Sequence, residues 1–485
     1  MTARRLFLIA ALAAGLAACA VGPNYKTPAL PPASGYGAAG APAADGPRLD
    51  PAMKVERDWW RVFGSQALDD LVDEALKHNP TLDQARATLL AAREATKAQR
   101  GAYWPSIDAS IQPTRQQFAK DLASPTESGQ SLYTLTTSQV SVSYTPDIFG
   151  ANRRAVENLA AAEAAQRFEL EAARQTIAAN VVLAAIQDGA LRTQIVAAKS
   201  VIEDQRRALE SFRRQHELGQ ASDADVAAQT ALLAQAETAL PPLEKAFEVN
   251  RDGLAALVGH TPDEPVSASF DLETLTLPDA LPLSLPADLV RQRPDVRAAE
   301  AQLHAASAGI GVAVAARLPD INLAAAAGSA PLDLGVSLAN SATFWSLAGT
   351  LTQPIFQGGT LLHHERGARA EFDAAAAQYR ATVIAAFQNT ADTVHALRFD
   401  AKAALAAQSS ADASARSLAI ARKQLRLGDV SPLAVLTAEQ ADAQARLALA
   451  QARAARYSDV VALFQALGGG WWNAHPDKVT GTARP

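Results

Sequence analysis

The only cysteine of the chain, Cys19, is the clearest candidate for chemical modification. Arg4 and Arg5 precede an apolar stretch over residues 6–16 that is too short to span a bilayer and is typical of a secretory signal. This segment ends in LAAC, which looks like a bacterial lipobox. Cleavage there removes the signal peptide at 1–18 and leaves a lipidated Cys19 held to a membrane leaflet by its acyl chains. An ordinary signal peptide with a chance cysteine is the alternative.

The residues after Cys19 indicate where the lipid would hold the chain. Ala20 follows the cysteine instead of an aspartate, which in such lipoproteins favours sorting to the outer membrane. Proline, glycine and alanine dominate residues 19–57, and this composition predicts an extended lipidated tether. The folded body is then expected to begin at Asp58.

No other group of side chains suggests catalysis or metal binding. His363, His364 and Glu365 are adjacent, whereas a zinc helix requires two histidines four residues apart with a glutamate between them. Lipidation of Cys19 leaves no thiol for a disulfide or for thiol catalysis. A net charge of −6 argues against nucleic-acid binding. The sequence therefore predicts no enzyme, no metal, no nucleic acid and no cofactor beyond the covalent lipid.

The sequence segments that would position any functional residue occur twice in the chain, as an internal repeat. Residues 77–107 and 291–321 have the same pattern and lie 214 positions apart (291 − 77 = 214). The matched pairs are Pro80 and Pro294, Ala85 and Ala299, Leu89 and Leu303, Ala92 and Ala306, Pro105 and Pro319, and Ile107 and Ile321. We therefore predict two fused copies of one unit: a first repeat at 58–259, a linker at 260–288, a second repeat at 289–470 and a C-terminal tail at 471–485.

Each copy contains two segments in which apolar and polar residues alternate. They cover about residues 106–117 and 132–147 in the first copy, and 319–329 and 344–356 in the second. This period of two predicts strands with one apolar and one polar face.

Each copy then continues into a very long helix, a Leu-Gly turn and a returning helix. No proline interrupts residues 151–218, and residues 360–427 have the same character. At the rise of an α-helix, each segment would reach roughly 100 Å. Alanine dominates these stretches and leaves little bulk for a thick core, which indicates helices side by side in a thin wall. A rod-like coiled coil is the alternative.

The strands favour a tube over a rod. After the signal there is no apolar run of about 20 residues, so a membrane crossing would require a closed β-barrel. Four strands per chain cannot close one, because membrane barrels begin at eight strands, and an eight-stranded barrel is filled by side chains. Three chains would supply twelve strands and a lumen wide enough for water. A soluble sandwich of amphipathic strands is the alternative.

Several segments of the sequence, in this order, resemble those of the TolC-like outer membrane factors, specifically the NodT-type efflux lipoproteins. They are CAVGPNYKTP (19–28), DWWRVFGSQALDDLVDEALKHNPTL (58–82), LVRQRPDVRAAEAQL (289–303), FWSLAGTLTQPIFQGG (344–359), YRATVIAAFQNTADTV (379–394) and ALGGGWW (466–472). The resemblance implies an α+β membrane protein. Its twelve-stranded outer-membrane β-barrel would be trimeric, with four strands per chain, and would be continued by a long periplasmic α-helical barrel.

The resemblance also implies a function. The chain would be the outer-membrane channel subunit of a tripartite efflux system, a passive duct that exports drugs or other small solutes. Its expected partners are two further copies of the chain, a periplasmic adaptor protein, an inner-membrane efflux pump and outer-membrane lipid. A type I secretion duct and a structural coiled-coil surface lipoprotein are the alternatives, and the exported substrate cannot be read from the sequence.

The resemblance assigns roles to residues at the two Leu-Gly turns, which in this family form the periplasmic tip where the adaptor docks. Arg426, Leu427 and Gly428 match the family's Arg-Leu-Gly motif. Leu218 and Gly219 match it in the first copy, but glutamate stands at position 217 in place of the arginine. The two docking sites are therefore expected to differ.

Acidic residues near these turns are candidates for the periplasmic gate. Asp225 matches a tip aspartate that makes gating contacts in relatives, while Ala434 stands at the equivalent second-copy position. Asp223 and Asp429 could substitute for the missing acid. Helix N-capping is the alternative role for these acids.

The lipobox generates the first prediction. Radiolabelled fatty acid should be incorporated into the wild-type protein and not into Cys19→Ser, because the thiol is the acceptor of the acyl chain. Equal labelling of the two proteins would refute lipidation at this position.

Overall fold

The computed structural model of the chain describes residues 20–29, 47–117, 132–283, 291–331 and 342–473. The predicted signal peptide and the predicted lipidation site, Cys19, lie outside these residues, as does the C-terminal tail beyond residue 473.

The described residues form six strands and seven α-helices. The strands are β1 (Arg48–Asp50), β2 (Ser106–Gln117), β3 (Leu132–Tyr144), β4 (Ala280–Pro282), β5 (Asp320–Ser329) and β6 (Thr343–Thr352). The helices are α1 (Gln66–His78), α2 (Pro80–Gly101), α3 (Ala151–Glu217), α4 (Asp223–Val258), α5 (Pro294–Ala315), α6 (Thr360–Leu427) and α7 (Pro432–Ala466).

Local side-chain chemistry separates the first two helices. Asn79 stands between them, and its Oδ1 accepts the backbone N–H of Thr81 at 2.9 Å. Pro80 follows at the start of α2, where the missing N–H of proline costs nothing. The start of α2 at Pro80 is therefore set by a cap and a proline together.

The chain divides into two compact units, and each unit takes segments from both sequence repeats. The first unit comprises residues 1–28, 89–166 and 299–379, and the second comprises residues 29–88, 167–298 and 380–485. Within the first unit, β3 of the first repeat pairs with β5 of the second. The repeats are thus a feature of the sequence and do not correspond to the compact units, because each unit contains segments of both repeats.

The first unit contains a four-stranded antiparallel sheet in the order β2-β3-β5-β6. The segments predicted to extend to residues 147 and 356 end as strands at Tyr144 and Thr352. Pro146 and Pro354 follow these ends, and proline has no N–H to donate to a neighbouring strand. β2 and β6 form the edges, so each has one side without a partner strand in the described chain.

The two faces of this sheet differ in chemistry. One row across the strands consists of Ile107, Val142, Ala325 and Leu347, and the adjacent row on the opposite face consists of Asp108, Ser141, Ala326 and Ser346. On the apolar face, Ile107 is 71% exposed and Leu347 is 78% exposed. A contiguous exposed apolar face indicates a surface that contacts lipid or protein.

The tether predicted over residues 19–57 is not free where the structure describes it. In the first unit, the backbone N–H of Val21 donates to the carbonyl of Phe149 at 3.1 Å. In the second unit, β1 pairs in parallel with β4, and Val55 is buried. The composition could not show these partners, because they are distant in sequence.

The second unit holds a large apolar core and fixes part of the predicted inter-repeat linker to it. The hydroxyl of Tyr457 donates to the carbonyls of Leu272 and Leu275 at 3.1 and 2.8 Å. The fully buried carboxylate of Asp188 accepts the backbone N–H of Phe270 at 3.4 Å. This stretch of the linker is therefore a packed part of the unit.

One described helix, α3, is long and apolar enough to cross a membrane by length and composition. The sequence predicts no such run after the signal. However, 56% of the apolar window is buried within the fold, and the core helix of a soluble protein passes the same test. The alanine-rich window is thus weak evidence for a membrane-spanning helix.

The second unit also holds a pair of carboxyl groups, Asp400 on α6 and Asp459 on α7. The Oδ2 atom of Asp459 is buried and has no hydrogen-bond partner in the described chain. Burial, together with the charge and hydrogen bond of Asp400, raises the pKa of Asp459 to about 7. Asp459 therefore keeps its proton over much of the acidic range, beside the carboxyl group of Asp400.

This pair predicts a pH dependence of stability. Folded Asp459 keeps its proton up to about pH 7, whereas an unfolded aspartate releases it near pH ~4. Folding takes up a proton between these values, so the wild type should lose stability as pH rises through this window. Asp459→Asn and Asp400→Asn should flatten this loss, because neither variant retains the carboxyl pair.

Asp412→Asn is the matched control, because Asp412 is an exposed acid of α6. Thermal unfolding of detergent-purified protein from about pH 5 to about pH 8 measures the effect. The same pH slope in all three variants and the wild type would contradict the raised pKa of Asp459.

Candidate functional site

The first Leu-Gly turn ends α3 with a left-handed glycine. The backbone N–H of Gly219 donates to the carbonyl of His216 at 2.8 Å, and that of Gln220 donates to the carbonyl of Gln215 at 2.7 Å. These two bonds satisfy carbonyls in the last helical turn, as in a Schellman motif. They require a φ of +72° at Gly219, a conformation that only glycine adopts cheaply.

The second Leu-Gly turn repeats this geometry at the end of α6. The N–H of Gly428 donates to the carbonyl of Leu425 at 3.1 Å, and that of Asp429 donates to the carbonyl of Gln424 at 3.0 Å. Gly428 has a φ of +80°. Each long helix therefore ends in the same kind of left-handed glycine turn, which its Leu-Gly sequence encodes.

The turns present apolar side chains to solvent. Leu218 is 72% exposed and Leu427 is 67% exposed. Arg426 is also exposed and forms no ion pair in the part of the chain that the structure describes. The predicted docking residues are thus accessible at both turns, and only the second turn adds a cationic side chain next to the leucine.

Asp225 is engaged as a helix cap. Its Oδ2 accepts the backbone N–H of Ser222 at 2.9 Å and the Ser222 hydroxyl at 2.7 Å, while Ser222 Oγ accepts the N–H of Asp225 at 3.2 Å. This reciprocal pair is a capping box at the start of α4. Hydrogen bonds from the Ser222 side chain and backbone lower the pKa of Asp225. Capping and gating are both possible roles for Asp225 from its sequence position, and the structure shows the capping contacts.

The other two candidate acids have separate surroundings. Asp223 shares the first turn of α4 with Asp225, and its Oδ1 lies 3.4 Å from Nε2 of His216. Asp429 belongs to the second turn, where its backbone N–H closes the end of α6. The structure therefore places these three acids at the turns but gives each a different neighbour.

A charged cluster that the sequence analysis did not single out connects three helices of the second unit. Arg422 of α6 donates to Asp204 of α3 at 3.0 Å and to Glu439 of α7 at 2.8 Å. Its two carboxylate partners raise the pKa of Arg422. No local sequence pattern indicates this cluster, because Asp204 and Arg422 are 218 positions apart in the chain.

No group of three or more histidine, cysteine, aspartate or glutamate side chains could hold a metal ion among the residues that the structure describes. In the His363-His364-Glu365 segment, the Glu365 carboxylate pairs with Arg317 and Arg369. These ion pairs give the glutamate a structural role.

The two-faced sheet and the glycine-ended helical hairpins together define an outer-membrane channel of the efflux type. The chain belongs to the outer membrane efflux protein family, whose model matches residues 71–260 and 285–469.

Relatives and solved structures match along nearly the whole chain. The chain is 30% identical over 485 residues to the toluene efflux pump outer membrane protein TtgF of Pseudomonas putida, covering 98% of each protein. It is 26% identical over 486 residues to the pyoverdine export outer membrane protein OpmQ of the same species, covering 99% of this chain and 100% of that one. The solved outer-membrane channel OprN superposes with a TM-score of 0.85 at 27% identity, covering 93% of this chain and 100% of that one.

The predicted family, fold class, outer-membrane location and channel function are confirmed by these matches. The fold is that of the trimeric outer-membrane channels, which combine a β-barrel with a long α-helical barrel. The family and its relatives are channel proteins. The docking and gating roles of individual residues stay predictions.

The capping box generates a prediction for Asp225. Asp225→Ala removes the acceptor of the Ser222 N–H, so amide exchange in the first turn of α4 should accelerate roughly fivefold. Lowering the pH through the depressed pKa of Asp225 should also reduce the protection of these amides in the wild type, measured against the intrinsic exchange rate at each pH, because the cap requires the carboxylate.

Asp429→Ala is the matched control for this measurement by hydrogen exchange, because Asp429 contributes its backbone N–H to the second turn. If Asp225→Ala instead leaves exchange unchanged but alters single-channel conductance and cation selectivity, Asp225 acts as a gate residue rather than as a cap.

Proposed function

We propose that three copies of this chain close one barrel and form a passive efflux duct without catalytic activity. The observation that carries this proposal is the four-stranded sheet with one apolar face and two edges that lack partners in the described chain. Unpaired backbone groups are not tolerated in lipid, so the edges must pair with further strands.

The strands fit this role in length and arrangement. They span 10 to 13 residues, close to the length of a tilted membrane strand. Pairing β6 of one copy with β2 of the next is a head-to-tail contact, and such contacts generate closed rings when the rotation closes. Three copies supply twelve strands, enough for a lumen.

The adaptor would dock on the exposed turns. Leu218, Gly219, Leu427 and Gly428 offer an apolar, tightly turned surface, and Arg426 adds a positive charge at the second turn. Because the first turn carries a glutamate before its leucine, the two turns would contact different parts of the adaptor. The inner-membrane pump would supply the energy, since the duct has no means to do so.

Small solutes are the proposed cargo. The relatives named above belong to a toluene efflux pump and to pyoverdine export, so similar chains serve chemically different small molecules. This diversity supports a duct whose cargo is chosen by its pump, and it favours small-molecule efflux over type I protein secretion. The gate would use Asp223, Asp225 and Asp429, repeated in each of the three chains, and Cys19 would anchor the assembly in outer-membrane lipid.

A charge on the apolar face of the sheet tests the barrel. Leu347→Arg places a cation on the apolar row at a cost of about 2–4 kcal/mol if that position lies near the middle of the bilayer. The amount of protein recovered in the outer membrane should therefore fall sharply. Ser346→Arg, on the opposite face of the same strand, should be tolerated because it would face the lumen. Equal recovery of the two variants would contradict the assignment of the faces.

A charge reversal at the second turn tests adaptor docking. Arg426→Glu should abolish cross-linking to the adaptor and lower drug resistance, while outer-membrane insertion stays unchanged. Lys423→Glu makes the same change of charge one turn earlier on α6 and should have little effect. Unchanged cross-linking and resistance in Arg426→Glu would refute the docking role.

A further inference from the structure

The imidazole ring of His216 faces two hydrogen-bond acceptors at the first Leu-Gly turn. Its Nδ1 atom lies 3.0 Å from the carbonyl oxygen of Ala221, and its Nε2 atom lies 3.4 Å from Oδ1 of Asp223. His216 belongs to the last turn of α3, whereas Asp223 is the first residue of α4. The ring therefore bridges the end of one long helix and the start of the helix that returns.

Only the protonated ring satisfies both of these contacts. A neutral imidazole has one N–H donor and one acceptor nitrogen, while an imidazolium has two donors. When the neutral ring donates to Ala221, the lone pair of Nε2 faces the Asp223 carboxylate, and in the other tautomer the lone pair of Nδ1 faces the carbonyl oxygen. Histidine side chains change charge between about pH 5 and pH 8. The bridge is therefore complete at the acidic end of this range and loses one contact at the alkaline end.

The ring charge is coupled to one carboxylate. The other charged side chains near the ring are Arg213, Arg214 and Glu217 on α3 and Asp225 on α4. Arg214 lies 3.9 Å from Glu210, and the Asp225 carboxylate accepts the hydroxyl of Ser222. Arg213 and Glu217 are exposed and carry opposite charges. In the part of the chain that the structure describes, only Asp223 forms an ion pair with the ring.

The bridge encloses the predicted docking residues of the first turn. Between its two ends lie the exposed Leu218 and the left-handed Gly219, whose N–H donates to the carbonyl of His216. A loop that is already ordered loses less conformational freedom when a partner binds it, and this preorganisation raises affinity. The protonated ring therefore prepares the first turn for docking.

The second Leu-Gly turn has no such bridge. Leu425 stands two residues before Leu427, at the position that corresponds to His216 before Leu218. No histidine occurs between His395 and His475 in the sequence. A histidine-dependent response to pH is thus confined to the first turn, and the second turn is an internal reference on the same chain.

We propose that His216 is a pH-dependent latch of the first turn, and that adaptor docking at this turn strengthens as the surrounding compartment becomes acidic. The ion pair is exposed, since the Asp223 side chain is 98% accessible. Exposed ion pairs contribute little, so we expect each latch to change the protection and the docking of its turn about twofold. The latch rests on the contacts above, and its role in docking rests on the proposed function of the turns.

Hydrogen exchange of the Gly219 and Gln220 amides in the full-length trimer tests the latch, because both amides donate to α3 carbonyls in the closed turn. Between about pH 5.5 and pH 8, their protection relative to the intrinsic exchange rate should fall about twofold in the wild type. His216→Gln should show no such fall, because glutamine does not titrate. His364→Gln, which removes an exposed histidine of α6, is the matched control and should behave as the wild type. The same fall in His216→Gln and the wild type would overturn the latch.

A photo-cross-linker at each turn tests the role in docking. Gln220→Cys and Asp429→Cys occupy matching positions, directly after Gly219 and Gly428, and each thiol can carry a benzophenone group. The probe is the purified adaptor that cross-links at the second turn. Its cross-linking from position 220, divided by that from position 429, should fall about twofold as the pH rises from about 5.5 to about 8. In His216→Gln, this ratio should not depend on pH.

The two parts of the proposal fail in different ways. A cross-linking ratio that stays constant with pH in the wild type would overturn the regulatory role of His216. Absence of adaptor cross-links from both positions at every pH would instead refute the proposed docking function of the turns, with the exchange results on the latch still standing.

Discussion

The unpaired edges of the four-stranded sheet are the constraint on which the rest of the structure depends. Along β2 and β6, the outer backbone N–H and C=O groups have no partner strand in the described chain. In lipid, each unsatisfied group costs several kcal/mol, so an open sheet of this kind cannot reside there alone. The alternation of apolar and polar rows has a function only when the edges are joined, because joining them separates a lipid side from a water side. Hydrogen bonding therefore requires that these edges pair with further strands before any question of transport arises.

The internal repeat supplies the strands for this pairing by using one sequence unit twice. Each copy supplies two strands and one pair of long helices, and the pairing of β3 with β5 joins the copies edge to edge. In a trimer, three chains would then place six similar repeat copies around one axis. The copies differ at their turns, however. The first turn leads into a capping box at Ser222 and Asp225, whereas the second leads into Pro432, where Ser431 makes no side-chain cap. An asymmetric partner can therefore distinguish two sites on each chain.

Features with a local cause could be predicted from the sequence, and features with a distant cause could not. The strands follow from alternation of residue types, the start of α2 follows from Pro80, and the ends of α3 and α6 follow from Leu-Gly. The sequence position of Asp225 places it near its turn, but only the geometry shows that Ser222 holds its carboxylate. The Arg422 cluster, the acid pair of Asp400 and Asp459, and the hydrogen bonds of Arg154 to Val21 and Asn24 all depend on partners far away in the chain. Judged by residue type alone, the charged side chains resemble ordinary solvated groups, and the N-terminal residues resemble an extended tether.

The number of copies in the purified channel tests the central claim most directly. Native mass spectrometry of the detergent-solubilised protein should give a mass of three lipidated chains. The same sample should form conducting channels in a planar bilayer, because the closed strands enclose a lumen. A stable monomer that retains a β-sheet signal and heat-modifiable migration would contradict the account, because one chain would then have closed its own edges.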